Sequence, residues 1–586
     1  MDKENENLTE NTDTVEHHEH HEHHEHHGHH GHYEHHKHHE HHEHHHGHHS
    51  HSHSHTSDKK TSSGKKTPVK NFFGKLSAEF SKQSGATKKN GLLKSLKARA
   101  KKLSRSDILK ICSVAAILLC VITVAVVSLV NDSNHVHSFG EWKVVESATC
   151  NKDGREARYC ECGEKQSRTV SKSHELEFVV INETDGMAEY SCTLCGETVK
   201  KIPTYNDIGI PVISITAGNV AVYEYSDADV VYSSESNSFE TEAQIKYQGA
   251  STLMYDKKNF NIKFKDSRGK KYKVEMHDGW GKHSKYCLKA NFAEASFLRN
   301  VCSAKLYGQI AHDGTRNDYF TTLVNGGAID GFPVVLYLND RFNGVYTLNI
   351  PKDEWLFNIK DGEGKQAILF ATSWGQSPNL QKKVDYSLKD SGFDLTYCST
   401  EDDYFWAVDS FNEFIDFLNI SDNDTFIEKI SGYTDVDAAI DTMLFLYAIG
   451  AVDNVSKNIL WVSLDGVKWT PIPYDLDLTW GLTNYGKDFT NEKYMSRNLN
   501  DNRLFARLTE CFPEKVKNRY YQICSNVLNT DNIRNVFQSF RDEIPDDVIK
   551  LEHRKWIEKP NIVENTIDQI VMYSESRLKY VGEFFK

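Results

Sequence analysis

Proline is scarce in this chain, and from Asn131 onward basic residues are outnumbered by acidic ones. Eleven prolines and 34 glycines in 586 residues are too few for a collagen-like or proline-rich fibre. From Asn131 onward there are 51 basic and 68 acidic residues, and this negative excess disfavours nucleic acid as a partner because phosphates are repelled. Aromatic residues make up 11% of the chain, which excludes a fully disordered protein. The length allows about four structural units.

Histidine is concentrated in one segment near the start of the chain. Of the 32 histidines, 25 lie between His17 and His55, mostly in His-His-Glu and His-His-Gly units. Nothing in this segment can build an apolar core, so we expect residues 1–58 to form a disordered tail. Neutral imidazoles in tandem bind Zn, Ni or Cu ions. The tail is either a metal buffer or sensor, or a hydrophilic tail that binds metal incidentally.

Residues 111–130 form a run of twenty residues without a charge. A helix of this length crosses a hydrocarbon core of about 30 Å, which predicts one transmembrane helix. More than a hundred residues precede the run, so a cleaved signal peptide is disfavoured.

The charges beside this run predict its orientation. Residues 59–110 carry 16 Lys and Arg residues against Glu79 and Asp107. The positive-inside rule therefore places residues 1–110 in the cytoplasm and residues 131–586 outside it. The basic juxtamembrane segment is either a topology signal or a site for anionic lipid headgroups. The prediction is a single-pass membrane protein with a large extracytoplasmic part.

Residues 135–202 form a small module with candidate metal ligands. It contains five cysteines, and because this number is odd, disulfides within the module cannot pair all of them. CysThrLeuCysGly at 192–196 is typical of a zinc-knuckle turn, whereas CysGluCysGly at 160–163 is one residue shorter. The candidate zinc ligands are Cys150, Cys160, Cys162, Cys192, Cys195, His137 and His174.

These spacings resemble small Cys/His ribbon repeats of Gram-positive bacterial surface proteins. One copy is matched by His137, Trp142, the AlaThrCys at 148–150 and the cysteines at 160 and 162. A second copy, with His174 and the cysteines at 192 and 195, lacks its own AlaThrCys. The resemblance implies structural Zn²⁺, with disulfides as the alternative, and a role in spacing or attachment.

Residues 205–586 have the pattern of one larger globular domain. Segments such as NFNIKFK at 259–265 alternate apolar and polar residues, which predicts half-buried strands, and residues 334–349 predict a hairpin with its turn around Asp340 to Gly344. Residues 403–418 and 437–448 are expected to be helical. Strands followed by helices predict an α+β domain and leave a two-lobed arrangement open.

An oxygen-rich cluster of side chains follows in residues 450–481. Asp453 and Asn458 lie five apart in an expected loop, and Asp475 and Asp477 follow a strand. Carboxylate and amide oxygens of this kind suit Mg²⁺ or Mn²⁺ bound to nucleotide phosphates. The Asp-x4-Asn spacing equals that of the protein-kinase catalytic loop. The alternative is a set of solvated acidic turns.

Several motifs, in order along the chain, resemble the spore coat protein H (CotH) kinase family. They are IleLysTyrGlnGlyAlaSerThr at 245–252, a lysine-rich strand at 257–265, LeuLysAlaAsn through ArgAsn at 288–300, a hairpin at 336–346, and the two acidic motifs at 453–458 and 472–481.

The resemblance implies an atypical protein-kinase-like, two-lobed fold that transfers the γ-phosphate of ATP to Ser or Thr of surface or coat proteins with Mg²⁺ or Mn²⁺. Asp453 would orient or deprotonate the acceptor hydroxyl, and Asn458 and Asp475 would hold the metal with help from Asp477. Lys258 or Lys263 would neutralise the ATP phosphates, unless both lie on a solvated strand face.

Two other functions stay open from the sequence. A non-catalytic adhesin or ligand-binding protein would use the same fold without needing ATP outside the cytoplasm. A role in metal homeostasis would rest on the histidine-rich tail alone.

Overall fold

The computed structural model describes residues 104–134, 136–360, 364–400, 403–483, 486–494, 499–557 and 565–585. The histidine-rich tail and most of the basic juxtamembrane segment lie outside the described residues, so the predictions for them stay predictions. From Val136 onward, the described residues belong to one compact unit.

Helix α1, Arg105–Asn134, includes the apolar run that predicts a membrane span. Its described apolar side chains are exposed, among them Val114, Leu119 and Val124. In the part of the chain that the structure describes, no helix has the combination of length and hydropathy that a membrane crossing requires.

The Cys/His module consists of two three-stranded antiparallel sheets. The first comprises β1 Lys143–Glu146, β2 Gly154–Tyr159 and β3 Lys165–Val170. The second comprises β4 Leu176–Ile181, β5 Ala188–Cys192 and β6 Thr198–Lys201. Few of their side chains are buried, since only Ala157, Ala188 and three cysteines of the module are core residues in the described part.

A closed barrel of seven strands opens the large domain, in the order β10-β11-β13-β12-β7-β8-β9. The alternation at 259–265 is confirmed, because Phe260, Ile262 and Phe264 point into the core. The strands are β7 Val212–Ala217, β8 Ser226–Ser233, β9 Ser238–Gln248, β10 Asn259–Lys265, β11 Lys285–Lys289, β12 Gly331–Leu338 and β13 Arg341–Asn349.

The predicted hairpin is β12–β13, but its turn lies earlier than expected. Asn339 and Asp340 form the turn with φ angles of 52° and 60°, so the interpretation that placed it around Asp340 to Gly344 was wrong. Positive φ at both central residues fits the twist of a two-residue hairpin, and Asn and Asp tolerate it.

A four-stranded antiparallel sheet follows, in the order β15-β14-β16-β17. Its strands are β14 Ala367–Ala371, β15 Phe393–Cys398, β16 Ile459–Ser463 and β17 Thr470–Pro473. A short ribbon, β18 Leu482–Thr483 with β19 Asp488–Phe489, comes next.

Most of the helices lie in the second half of the chain. Asp435 begins α6 by accepting a hydrogen bond from the Ala438 N–H at 3.0 Å. The helices are α2 Tyr205–Ile208, α3 Arg299–Ala311, α4 Phe405–Ile420, α5 Asn423–Lys429, α6 Val436–Ala448, α7 Arg503–Cys511, α8 Pro513–Asn526, α9 Thr530–Asp542, α10 Asp546–Lys555 and α11 Ile567–Phe584. The predicted α+β class is confirmed, and the two helices expected at 403–418 and 437–448 lie within two residues of their predicted bounds.

Candidate active site

A cleft of about 670 Å³ lies between the barrel and the four-stranded sheet. Barrel strands β9, β10 and β11 contribute one wall, which includes Lys263 and Lys289. The other wall includes Phe370 of β14, Asn458 and Asp475. A smaller adjoining pocket shares Lys289 and Asp475 and extends to Asp477.

The loop between α6 and β16 carries Asp453 and Asn458, and backbone hydrogen bonds fix its position. The Asn458 N–H donates to the Ala371 carbonyl at 2.9 Å, and the Asn458 carbonyl accepts from the Tyr474 N–H at 3.0 Å. The buried Asn454 amide donates to the Tyr474 carbonyl at 2.6 Å. These bonds hold the loop beside the end of β17, where the second acidic motif begins.

Asn458 and Asp475 both have left-handed backbone conformations, with φ of 57° and 58°. Asn and Asp adopt this conformation more readily than other residues that carry a side chain. A distant residue holds the backbone beside Asp475, because the Leu476 N–H donates to Asn300 Oδ1 of α3 at 3.0 Å. Both residues line the same cleft.

Asp453 lies in a poorly solvated position, with 21% of its side chain exposed. Its Oδ2 accepts from Lys457 Nζ at 2.5 Å and from Asn458 Nδ2 at 3.3 Å. Burial raises the pKa of Asp453 above its ordinary value, and the charge of Asp475 adds to this, although Lys457 opposes it. A carboxylate with a raised pKa is better able to accept a proton near neutral pH.

Negative charge accumulates around Asp477. Burial and the charge of Asp475 raise the pKa of Asp477 well above its ordinary value. Within the described ranges, Asp453, Asp475 and Asp477 do not form a group whose oxygens all lie within 4.8 Å of one another. Mg²⁺ commonly binds proteins through only one or two carboxylates, so the donors of Asn458, Asp475 and Asp477 fit such an ion.

Two cations that the sequence analysis missed lie across the cleft from these acids. Lys289 is 8% exposed, and its Nζ lies 3.6 Å from Asp475 Oδ1. Burial lowers the pKa of Lys289, but Tyr474 and Asp475 outweigh it and the pKa is raised. Lys352 packs its Nζ against Phe370, 2.9 Å from the ring centre, and burial together with the charge of Lys289 lowers its pKa to about 7.

Only one of the two lysines singled out in the sequence lines the cleft. Lys258 Nζ donates to the carbonyls of Leu253 and Tyr255, and the residue does not line the cleft. Lys263 does line it, with its Nζ 3.8 Å from the centre of the Tyr225 ring. Of the two lysines predicted to neutralise the ATP phosphates, the one that lines the cleft, Lys263, is therefore favoured over Lys258. In the sequence, the signal for Lys289 is a lysine that directly follows apolar residues of a strand, as in KYCLK at 285–289. A lysine that is buried at such a position needs a partner.

The predicted zinc ligands are brought together in two groups, apart from the cleft. One group is Cys150, His174, Cys192 and Cys195, and the other is His137, Cys160 and Cys162. In each group the ligand atoms lie within 4.8 Å of one another. The groups do not follow the two repeat copies, because Cys150 of the first copy joins the ligands of the second.

The chain matches a known protein family. No curated protein matches the chain. Residues 245–581, more than half of the sequence, match the family model described as CotH kinase protein. The matched region begins in β9 and includes both walls of the cleft, except Tyr225. On this match, the chain belongs to the CotH kinase family.

Proposed function

We propose that this protein is an ATP-dependent phosphotransferase with a kinase-like, two-lobed catalytic domain, which phosphorylates Ser or Thr of surface or coat proteins. The observation that carries the proposal is the cleft in which Lys289 faces Asp475, with Asp453 and Asn458 on the adjoining loop. The barrel would be one lobe, and the sheet with its helices the other. Family membership supports the reaction class.

The residues divide into those that bind phosphate and one that handles the proton. Lys289 and Lys352 supply positive charge on the cleft walls, where they would bind and orient the phosphates of ATP. Asp453 would accept the proton of the Ser or Thr hydroxyl while the hydroxyl oxygen forms a bond to the γ-phosphorus of ATP. The bond between that phosphorus and the bridging oxygen then breaks, and ADP leaves.

Asn458 and Asp475, assisted by Asp477, would hold Mg²⁺ or Mn²⁺. When bound, the ion would neutralise charge on the phosphate oxygens. Burial and the neighbouring charge of Asp475 raise the pKa of Asp477, and this supports the assignment because a bound cation would stabilise the charged form of both carboxylates.

Phosphate incorporation tests the proposal. The purified full chain is incubated with γ-labelled ATP, Mg²⁺ or Mn²⁺ and a Ser/Thr-rich acceptor such as casein. We expect labelled protein with either metal and none with EDTA. A folded protein that neither binds ATP nor incorporates label would favour the adhesin instead.

Lys352 gives ATP binding a predicted pH dependence. Because its pKa is about 7, the Lys352 side chain is mostly neutral at pH 8.5. An anionic phosphate binds the charged form of the side chain more tightly than the neutral form. Binding must then take up a proton, so we expect ATP affinity to fall about tenfold between pH 7 and pH 8.5. Titration calorimetry at both pH values measures this fall.

Lys352→Arg is the matched control, because arginine stays charged throughout this range. Its ATP affinity should change little with pH. An equal fall in the wild type and this variant would assign the pH dependence to another group.

We further propose that the uncharged run at 111–130, part of which lies outside the residues whose side chains are described, anchors the protein in a membrane, with residues 1–110 in the cytoplasm and the catalytic domain outside it. The uncharged run at 111–130 and the exposure of Val114, Leu119 and Val124 support this. We expect the protein to sediment with membranes after alkaline carbonate washing, and release into the wash would contradict the anchor.

A further inference from the structure

Side chains from both sheets of the Cys/His module converge on one place. Cys150 lies in the loop between β1 and β2, His174 lies on the segment that joins the two sheets, and Cys192 and Cys195 lie at the turn between β5 and β6. Their ligand atoms all lie within 4.8 Å of one another, and Cys195 Sγ is 3.4 Å from His174 Nδ1. Ligand atoms of a tetrahedral zinc site lie roughly 3.5–3.8 Å apart, because Zn–S bonds are about 2.3 Å and Zn–N bonds about 2.0–2.1 Å. The group therefore has the size of a zinc site.

Backbone contacts hold the loop that carries Cys150 beside the second sheet. The Lys172 N–H, two residues before His174, donates to Asp153 Oδ1 at 2.7 Å, and this bond joins the loop to the segment between the sheets. Gly154 permits a close approach within the loop, because a Cβ there would lie 2.4 Å from a backbone nitrogen of the loop. Cys150 is consequently buried among ligands of the second sheet, although it belongs to the first.

The turn at Cys192 and Cys195 has the backbone of a metal-binding turn. The Gly196 N–H donates to the Cys192 carbonyl at 2.9 Å, and the φ of 72° at Gly196 is one that glycine adopts readily. His174 Nε2 lies 3.4 Å from Glu197 Oε2. Metal-binding histidines usually give their second ring nitrogen to a carboxylate or carbonyl, which fixes the tautomer. These contacts are typical of a site in which His174 binds the metal through Nδ1.

A different set of contacts fixes the second sheet to the large domain. The Tyr337 hydroxyl donates to the Gly186 carbonyl at 2.5 Å, and a Cβ at Gly186 would lie 2.9 Å from Phe342. Arg554 of α10 donates to the carbonyl of Glu183 at 2.9 Å and to its carboxylate at 2.8 Å. The turn between β4 and β5 therefore packs against the β12–β13 hairpin and α10, and we expect it to stay there when metal is removed.

We propose that this group binds one zinc ion, which joins the two sheets of the module and thereby attaches the sheet β1–β3 to the large domain. The ligands are Cys150, His174, Cys192 and Cys195. A ligand of the first repeat copy thus completes the site of the second, instead of each copy forming a site of its own. Three thiolates and one imidazole are the ligand set of a structural zinc site. The inference is independent of the proposed phosphotransfer.

Hydrogen exchange of backbone amides, localised by mass spectrometry, tests the proposal in the full chain. The protein is kept reduced, and exchange is compared with Zn²⁺ bound and after its removal by a chelator. Because exchange is measured at residues 143–201, metal bound by the histidine-rich tail does not contribute. Removal should raise exchange at least about tenfold in β1–β3 and at residues 192–196, whereas residues 183–187 should stay protected.

Single variants distinguish the shared site from one site for each repeat copy. Cys150→Ser should raise exchange at residues 192–196 as much as Cys195→Ser does, although Cys150 belongs to the other sheet. Cys162→Ser, which changes a cysteine of the same copy as Cys150, should leave that turn unchanged. Cys511→Ser, in α7, is the control for loss of a thiol elsewhere and should change neither sheet.

Exchange in α6 shows whether each variant keeps a folded large domain. Protection at residues 192–196 that depends on Cys162 and not on Cys150 would overturn the proposal, because each copy would then bind its own metal. Protection that survives the chelator in the reduced wild type would overturn it without any variant. Protection that is lost on reduction alone, before the chelator is added, would indicate a disulfide in place of the metal.

Discussion

Replacing Asp453 with asparagine is expected to lower phosphate transfer by about 10²–10⁴-fold, the usual contribution of a group that accepts a proton in the transition state. Asp475→Asn should lower it by a comparable factor, because the metal ion that Asp475 would hold stabilises charge in the transition state. Each change removes one negative charge and preserves the size of the side chain. Asp453 is placed by Lys457 and Asn458, and Asp475 by its contact with Lys289. Phosphate transfer from γ-labelled ATP, under single-turnover conditions, is the measurement.

The two variants should fail in different ways. Asp453→Asn should bind ATP with Mg²⁺ as tightly as the wild type does, because this residue acts on the acceptor hydroxyl. Asp475→Asn should also lose the dependence of ATP affinity on Mg²⁺, since that carboxylate is assigned to the metal.

Asp424→Asn, an exposed residue in the first turn of α5, is the matched control and should retain wild-type activity. Activity within threefold of wild type in both active-site variants would contradict the assigned roles.

The second large effect concerns stability, at a buried ion pair between the barrel and α10. Lys257 Nζ lies 2.8 Å from Glu552 Oε1, and neither side chain is exposed. Lys257 Nζ also donates to the carbonyls of Ala290 and Val345, and Glu552 Oε2 accepts from the Val345 N–H at 2.7 Å. Removing one partner leaves an uncompensated buried charge, so Glu552→Ala should lower the free energy of unfolding by about 3–5 kcal/mol.

Denaturant unfolding, followed by tryptophan fluorescence, measures this loss. Asp547→Ala is the control on the same helix, because its side chain is 83% exposed and pairs with Lys550 at the surface. We expect that variant to lose less than about 1 kcal/mol.

A double variant separates the ion pair from simple truncation. Lys257→Met together with Glu552→Ala removes both charges, so the double variant should be less destabilised than the sum of the two single changes. Strict additivity would show that the two charges do not stabilise each other in the folded protein.

The acidic residues of the site could be found from the sequence because they are close together along the chain. Asp453, Asn458, Asp475 and Asp477 belong to one loop and the adjoining hairpin, so local spacing describes them well. The same holds for the helices, whose bounds follow from apolar periodicity and from caps such as Asp435.

The basic residues of the site could not be found from local spacing. Lys289 and Lys352 lie 63 residues apart and reach the cleft because β11 pairs with β13 in the barrel and the chain then passes beside β14. The choice between Lys258 and Lys263 also depends on the direction of each side chain. The first turns to the carbonyls of Leu253 and Tyr255, while the second faces the cleft.

The sequence by itself determined the α+β class, the family, the acidic motifs and the identity of the candidate zinc ligands, because each depends on residue type and short spacing. The tertiary structure decided that Lys289 faces Asp475, that Lys257 pairs with Glu552, and that Cys150 lies beside His174, Cys192 and Cys195. These features depend on contacts between distant segments, and strand pairing and burial bring those segments together. Residue spacing predicts contacts between side chains that are close in the sequence, whereas packing decides which side chains from distant segments come into contact.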